Sequence, residues 1–247
     1  MTTQKIALVI GGSGGIGSAV VRRLLANGFF VCATYAHNGQ KVETLRRKFE
    51  GKPVTFYQMD LLDENETKST MEQIVKDHPR IDVVVFAPSP PLTPIHLLEA
   101  DWDEFETHHR VQVRGMWQVV NSLKIQIKAG NGIKFIVLLT EACVGKPPSR
   151  LASYVTAKYG LLGFAKVMAV ELAPYHCTVN CVSPGMVETN LIQSFPSKMV
   201  EMTAAQNPLK RIATPEDVAG VVSFLASDEA GYLNGVNVTV NGGEIML

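Results

Sequence analysis

Short apolar runs alternate along the chain with longer segments whose apolar residues recur every three to four positions. The runs 5–10, 29–35, 54–59, 81–87, 133–139, 178–182 and 237–240 read as strands. Residues 81–87 are almost entirely apolar, as a strand covered on both faces should be. Between these runs, 16–26, 42–49, 67–76, 101–128, 154–172 and 215–226 carry helical periodicity. Strand–helix alternation of this kind predicts an α/β fold with a doubly wound parallel sheet and helices on both faces. No linker, repeat or low-complexity tract divides residues 1–247, so a single domain is expected. The least regular stretch, 186–211, contains Pro196 and Pro208 and is read as a substrate lid at the carboxyl edge of the sheet.

Composition narrows the function. The 23 basic side chains equal the 23 acidic ones, so no global field draws in DNA or RNA. No signal-peptide pattern precedes the first strand, and the longest apolar runs are far too short to cross a bilayer. Cys32, Cys143, Cys177 and Cys181 lack metal-ligand spacing and read as buried thiols. Cys177 and Cys181 are spaced to share one face of a strand. A reducing, cytoplasmic setting is expected, with no metal.

Two motifs carry chemistry. Gly11-Gly12-Ser13-Gly14-Gly15-Ile16-Gly17 follows the first strand and opens the first helix. Glycines there permit a tight turn and close approach of the backbone to phosphate, and the helix start offers free N–H groups to an anion. The loop reads as a dinucleotide site on a Rossmann-like sheet; a turn that binds nothing is the alternative. An NAD site usually has a carboxylate about twenty residues further on. Here the second strand ends in Thr34-Tyr35-Ala36-His37-Asn38, with no acidic residue before Glu43. That leaves room for a 2′-phosphate beside His37, Asn38 and Lys41 and favours NADP (NADPH), although Gly14 brings no basic side chain. Asp60 either accepts from the adenine or caps the turn 60–63.

Tyr154 and Lys158 form the second motif. Four residues apart on a helix, they share a face. A neighbouring ammonium is expected to lower the phenol's pKa and make it a usable acid or base. With the glycine loop, this implies a nicotinamide oxidoreductase.

At this point the chain resembles the short-chain dehydrogenase/reductase family over nearly its full length. The glycine spacing, Asp60, Tyr154, Lys158, the segment Asn180-Cys181-Val182-Ser183-Pro184-Gly185-Met186-Val187-Glu188-Thr189 and the ending Val240-Asn241-Gly242-Gly243 fall in family order. Within the family the chain looks most like 3-oxoacyl-thioester reductases of fatty-acid and polyketide synthesis. The resemblance implies cofactor contacts at Gly11, Ser13, Gly14, Gly15, Ile16, Gly17, Tyr35, His37, Asn38, Asp60, Leu61, Ala87, Tyr154, Lys158, Pro184, Gly185, Val187 and Thr189. It also implies a homodimer or homotetramer, with the tail 242–247 joining an interface. Three positions depart from the pattern. The serine expected thirteen residues before the tyrosine is Glu141, with Thr140 beside it. The asparagine that organises a proton-relaying water is Gln112. The usual Asn-Asn-Ala-Gly is Phe86-Ala87-Pro88-Ser89.

These departures leave alternatives open. Either Thr140 or a protonated Glu141 polarises a substrate carbonyl, or Glu141 is an ion-paired or solvated loop residue. The chain is then an NADPH-dependent 3-oxoacyl-thioester reductase, or a weakly active cofactor-binding subunit supporting a competent partner of the same fold. A third reading makes Glu141 the acid–base group of another carbonyl conversion. Arg110, Arg114, Lys124 and Lys128 form a basic face that either docks an acidic acyl carrier protein or is a solvated or subunit-interface face. Trp102 and Trp117 read as core or interface residues.

Overall fold

The computed structural model describes residues 4–37 and 39–246. Seven parallel strands form one sheet: β1 (Ile6–Ile10), β2 (Phe30–Tyr35), β3 (Val54–Gln58), β4 (Val83–Phe86), β5 (Lys134–Leu138), β6 (Thr178–Pro184) and β7 (Asn237–Val240). Their order is β3-β2-β1-β4-β5-β6-β7. The order in which strands are added switches side at the parallel pair of β1 and β4, where Ala7 partners Val83. The loops after β1 and β4 therefore part there, at the carboxyl edge where such sheets bind ligands. This is the Rossmann-like, doubly wound α/β sheet expected, and each of the seven anticipated strands is present.

Alternation along the strands sends successive side chains to opposite faces, so two apolar layers form. Leu8, Ile10, Val84, Phe86, Phe135 and Val137 pack on one face. The helices there are α3 (Glu64–Asp77), α4 (Trp102–His109), α5 (Gly115–Ser122), α6 (Lys124–Lys128) and α7 (Ala152–Glu171). Ala7, Val9, Val83, Val85 and Ile136 face the other layer. They meet α1 (Gly15–Ala26) and α9 (Pro215–Ala226), while α2 (Gly39–Lys48) follows β2. Cys177 and Cys181 lie in the same layer, and all four cysteines are buried free thiols, as expected.

Two expectations are corrected. The single helix over 101–128 is broken: α4 passes through a π-helical turn at Arg110–Arg114 before α5, and a second break at Leu123 precedes α6. A π turn admits one extra residue and rotates the side chains that follow it. The second correction lies in 186–211, where the helix α8 (Ser197–Gln206) stands between Pro196 and Pro208. It buries no residue fully, so it has no apolar stripe for periodicity to detect.

The short helix α6 is tied to the start of β4 by one buried side chain. Gln126 Oε1 accepts from the Ile81 N–H at 2.8 Å, and Nε2 donates to the His78 carbonyl at 3.2 Å. Gln126→Leu leaves both backbone groups without partners. We expect it to lower the unfolding free energy by about 1–3 kcal/mol, read from urea denaturation; an unchanged midpoint would refute this account of the anchor.

Candidate active site

The glycine loop turns tightly after β1. Gly11 adopts φ +78° and crosses the backbone of Pro88, so a side chain there would be both strained and crowded. A Cβ on Gly17 would overlap the Gly11 carbonyl oxygen, which holds α1 close against the turn. The loop is pinned by Gly14 N–H to Gly11 O at 3.0 Å and by Gly11 N–H to Thr34 Oγ1 at 3.1 Å. No side chain caps the N-terminus of α1, so the N–H groups of its first turn face outward for an anion. Gly15 abuts Thr189, which brings the loop after β6 alongside. The cradle thus fits a dinucleotide pyrophosphate: its donors are backbone N–H groups, and its glycines carry no side chain.

The adenine end is divided. Asp60 Oδ1 accepts from the Leu62 N–H at 2.9 Å, so the turn-capping reading is present. Asp60 Oδ2 lies 3.4 Å from His37 Nε2. Leu61 buries its side chain against Gly115. Asn38 and the Lys41 side chain lie outside the described residues. Tyr35 closes β2 opposite Gln58, and Ala87 N–H bonds the Ile10 carbonyl.

At the other end, α7 begins beside β5. Lys158 is 3% exposed, and its Nζ donates to the Leu138 carbonyl at 2.7 Å. The same ammonium lies 5.8 Å from the Tyr154 ring centroid. Burial holds Lys158 down to about 8. Burial also pushes the Tyr154 phenol up to about 12, against a hydrogen bond from Thr140 that favours the phenolate. The lowering of the phenol expected from Lys158 does not show here: burial sets the direction, and the contribution that lowers it comes from Thr140. Thr140 Oγ1 also accepts from the Ala142 N–H at 3.4 Å, which caps the 3₁₀ turn Glu141–Cys143.

Thr140 and Glu141 go different ways. Thr140 reaches the phenol, whereas Glu141 turns toward Gly185, Asn241 and Glu244. A Cβ built on Gly185 would lie 3.1 Å from Glu141 Oε2, an oxygen that is buried without a hydrogen-bond partner. Burial, then the Glu244 charge, push the Glu141 carboxyl up to about 7, against a hydrogen bond from Asn241. Pro184 ends β6, Gly185 N–H bonds Val240 O at 3.1 Å, and Val187 bridges to Ala213. These loops converge on the edge that carries the glycine turn.

Gln112 sits in the π turn, 0% exposed, with its Oε1 unpartnered. Sequence reasoning missed its neighbour His108. This residue is 1% exposed, packed edge-on against Tyr154 with ring centroids 6.0 Å apart, and held down to about 4 by burial, then by Lys158 and His109. The available signal was a histidine one helical turn before Gln112. The basic face is partly spent within the chain. Arg110 donates to Leu62 O at 2.8 Å, and Arg114 bonds Glu64 and the carbonyls of Leu61 and Leu62, whereas Lys124 and Lys128 are exposed. Trp102 and Trp117 are exposed, which removes the core reading. Among the described residues no helix is long and apolar enough to cross a membrane, and no cluster suits a metal ion.

The raised Glu141 pKa has a stability consequence. Between the unfolded value of 4.5 and about 7 the folded chain binds the extra proton, so stability falls as pH rises through that window. We expect Glu141→Gln to melt above wild type at pH 8, with the gap closing toward pH 5. Equal melting temperatures across this range would remove the charge penalty.

Known proteins match this geometry. A family profile described as enoyl-(acyl carrier protein) reductase matches residues 11–244. The chain is 31% identical to the 3-oxoacyl-[acyl-carrier-protein] reductase FabG of Staphylococcus aureus, covering 100% of both chains. It is 31% identical to nodulation protein G of Rhizobium meliloti, covering 99% of this chain and 98% of that one. Among solved structures, ElxO with NADP bound superposes with a TM-score of 0.88 at 25% identity, covering 98% of each chain. A short-chain dehydrogenase/reductase from Serratia marcescens gives 0.87 at 28% identity, covering 97% of each. With the glycine cradle, the buried Tyr154 and Lys158 and full-length similarity, the chain belongs to the short-chain dehydrogenase/reductase family of oxidoreductases.

Proposed function

We propose that this protein reduces a 3-oxoacyl thioester with NADPH. The observation that carries the reading is the buried pair of Tyr154 and Lys158, with Lys158 Nζ 5.8 Å from the phenol ring, in a chain that also carries the glycine cradle. A reductase must start with its proton in place, and a phenol carries its proton at neutral pH. NADPH, when bound, supplies the hydride to the carbonyl carbon. Tyr154 Oη gives its proton to the carbonyl oxygen, and the resulting phenolate is stabilised by the Thr140 hydroxyl and the Lys158 ammonium. Gln112 supports proton return to Lys158. The α1 N–H groups hold the pyrophosphate, with Ser13 through Gly17 against it and Pro184, Gly185, Val187 and Thr189 beside the nicotinamide. His37 and the uncharged end of β2 make room for a 2′-phosphate.

Relatives named as acyl-carrier-protein reductases and a neighbour crystallised with NADP support the substrate class and cofactor. Residues 186–211, with α8, act as the lid in this reading. An acidic carrier protein would meet Lys124 and Lys128 more readily than the occupied Arg110 and Arg114. Assembly into homodimers or homotetramers accords with the exposed Trp102 and Trp117. A Thr140 hydroxyl at the phenol weighs against an inactive subunit and against Glu141 as the acid–base group.

The test is NADPH oxidation by purified protein with acetoacetyl coenzyme A. Tyr154→Phe is expected to cut turnover by at least about a hundredfold. Thr140→Val should cost about a hundredfold to a thousandfold, the effect of losing one oxyanion donor. Glu141→Gln should retain most activity. If Glu141→Gln is the more damaging of the two, the roles of Thr140 and Glu141 are reversed; if Tyr154→Phe matches wild type, the reductase reading fails.

A further inference from the structure

His108 is a buried titratable group that the proposed reaction does not use. Its Nδ1 lies 3.5 Å from Gln112 Nε2, and its Nε2 lies 3.8 Å from Glu104 Oε1. An amide nitrogen only donates, so Nδ1 is the acceptor in the first contact. The imidazole proton then belongs on Nε2, facing the Glu104 carboxylate. With that proton turned toward Glu104, turning the Gln112 amide over would set its oxygen against the Nδ1 lone pair, acceptor against acceptor, in a buried site. The imidazole therefore discriminates between the two orientations of the amide. In the favoured one, Gln112 Oε1 is the atom left over, buried and without a protein partner.

The π turn is what brings this about. Arg110–Arg114 packs against α7, with Val113 close to Gly160, and His108, the partner of Gln112, stands beside Tyr154 and Lys158 of that helix. The titratable groups facing His108 are Glu104 and His109 from its own helix and Tyr154 and Lys158 from α7.

We propose that His108 is a positioning residue. As the Nε2–H tautomer directed by Glu104, it orients the Gln112 amide so that the carbonyl oxygen is the free acceptor in the pocket shared with Lys158. That oxygen receives a hydrogen from the lysine ammonium or from a water bonded to it. The kinetic part of this inference rests on the reductase reading; the tautomer does not.

Nitrogen NMR of the full chain, labelled at its six histidines and assigned with His108→Gln, tests the tautomer directly. We expect a neutral His108 at pH 7 protonated on Nε2, with an Nδ1 resonance that moves in Gln112→Leu. A proton on Nδ1, or an Nδ1 signal indifferent to Gln112→Leu, overturns the proposal. Steady-state kinetics with NADPH and acetoacetyl coenzyme A supplies the second arm. His108→Leu should lower kcat about tenfold while KM for NADPH stays within about twofold, and His108→Gln, which keeps an acceptor, should recover much of the loss. Equal losses in both variants, with unchanged melting, also overturn it. A wild type inert toward the thioester would instead sink the reductase reading and leave the tautomer to decide this one.

Discussion

The site depends on one buried ammonium. Lys158 reaches the carboxyl end of β5 and spends a hydrogen on the Leu138 carbonyl. A lysine so enclosed is tolerated only if it is bonded or if its charge is easily lost, and both hold here. That contact spans twenty residues and locks the end of a strand to the first turns of α7. Tyr154 stands one helical turn before it, and Thr140 lies two residues beyond Leu138. The strand end and the helix start therefore arrive together, and the phenol and the threonine hydroxyl meet because the lysine has fixed their supports.

The cofactor end relies on the absence of side chains. Parallel strands deliver the loops after β1, β4 and β6 to one edge, where glycines let the neighbouring loops come close. Gly11 crosses Pro88, and Gly15 meets Thr189. The substitution of Phe86-Ala87-Pro88-Ser89 for the family's amide-rich segment keeps this crossing, because the contact is made by the Pro88 backbone. The change therefore leaves this crossing intact.

Glu141 illustrates how a three-dimensional neighbour set changes a residue's meaning. Counted along the chain, it occupies the serine position and would oppose a developing oxyanion. In space its carboxyl turns to Gly185, Asn241 and Glu244, where a second carboxylate and partial burial favour its protonated form. The C-terminal segment thereby touches the loop after β5, with Ile245 packed on Gly145. Thr140, one place earlier, is the neighbour whose hydroxyl favours the Tyr154 phenolate.

The amino-acid pattern alone determined the seven strands, the order of motifs, the glycine turn and the shared face of Tyr154 and Lys158. These follow from local rules: periodicity of two or 3.6, the steric freedom of glycine, and one-turn spacing on a helix. Only the tertiary structure decided which of Thr140 and Glu141 faces the phenol, how far burial raises that phenol, and that Arg110 and Arg114 are spent on the 61–64 turn. It also disclosed the π turn, which inserts one residue into an otherwise regular helical pattern, and helix α8, which has no buried stripe to read. Each of these depends on desolvation or on partners distant in sequence, and neither quantity is written in the local order of residues.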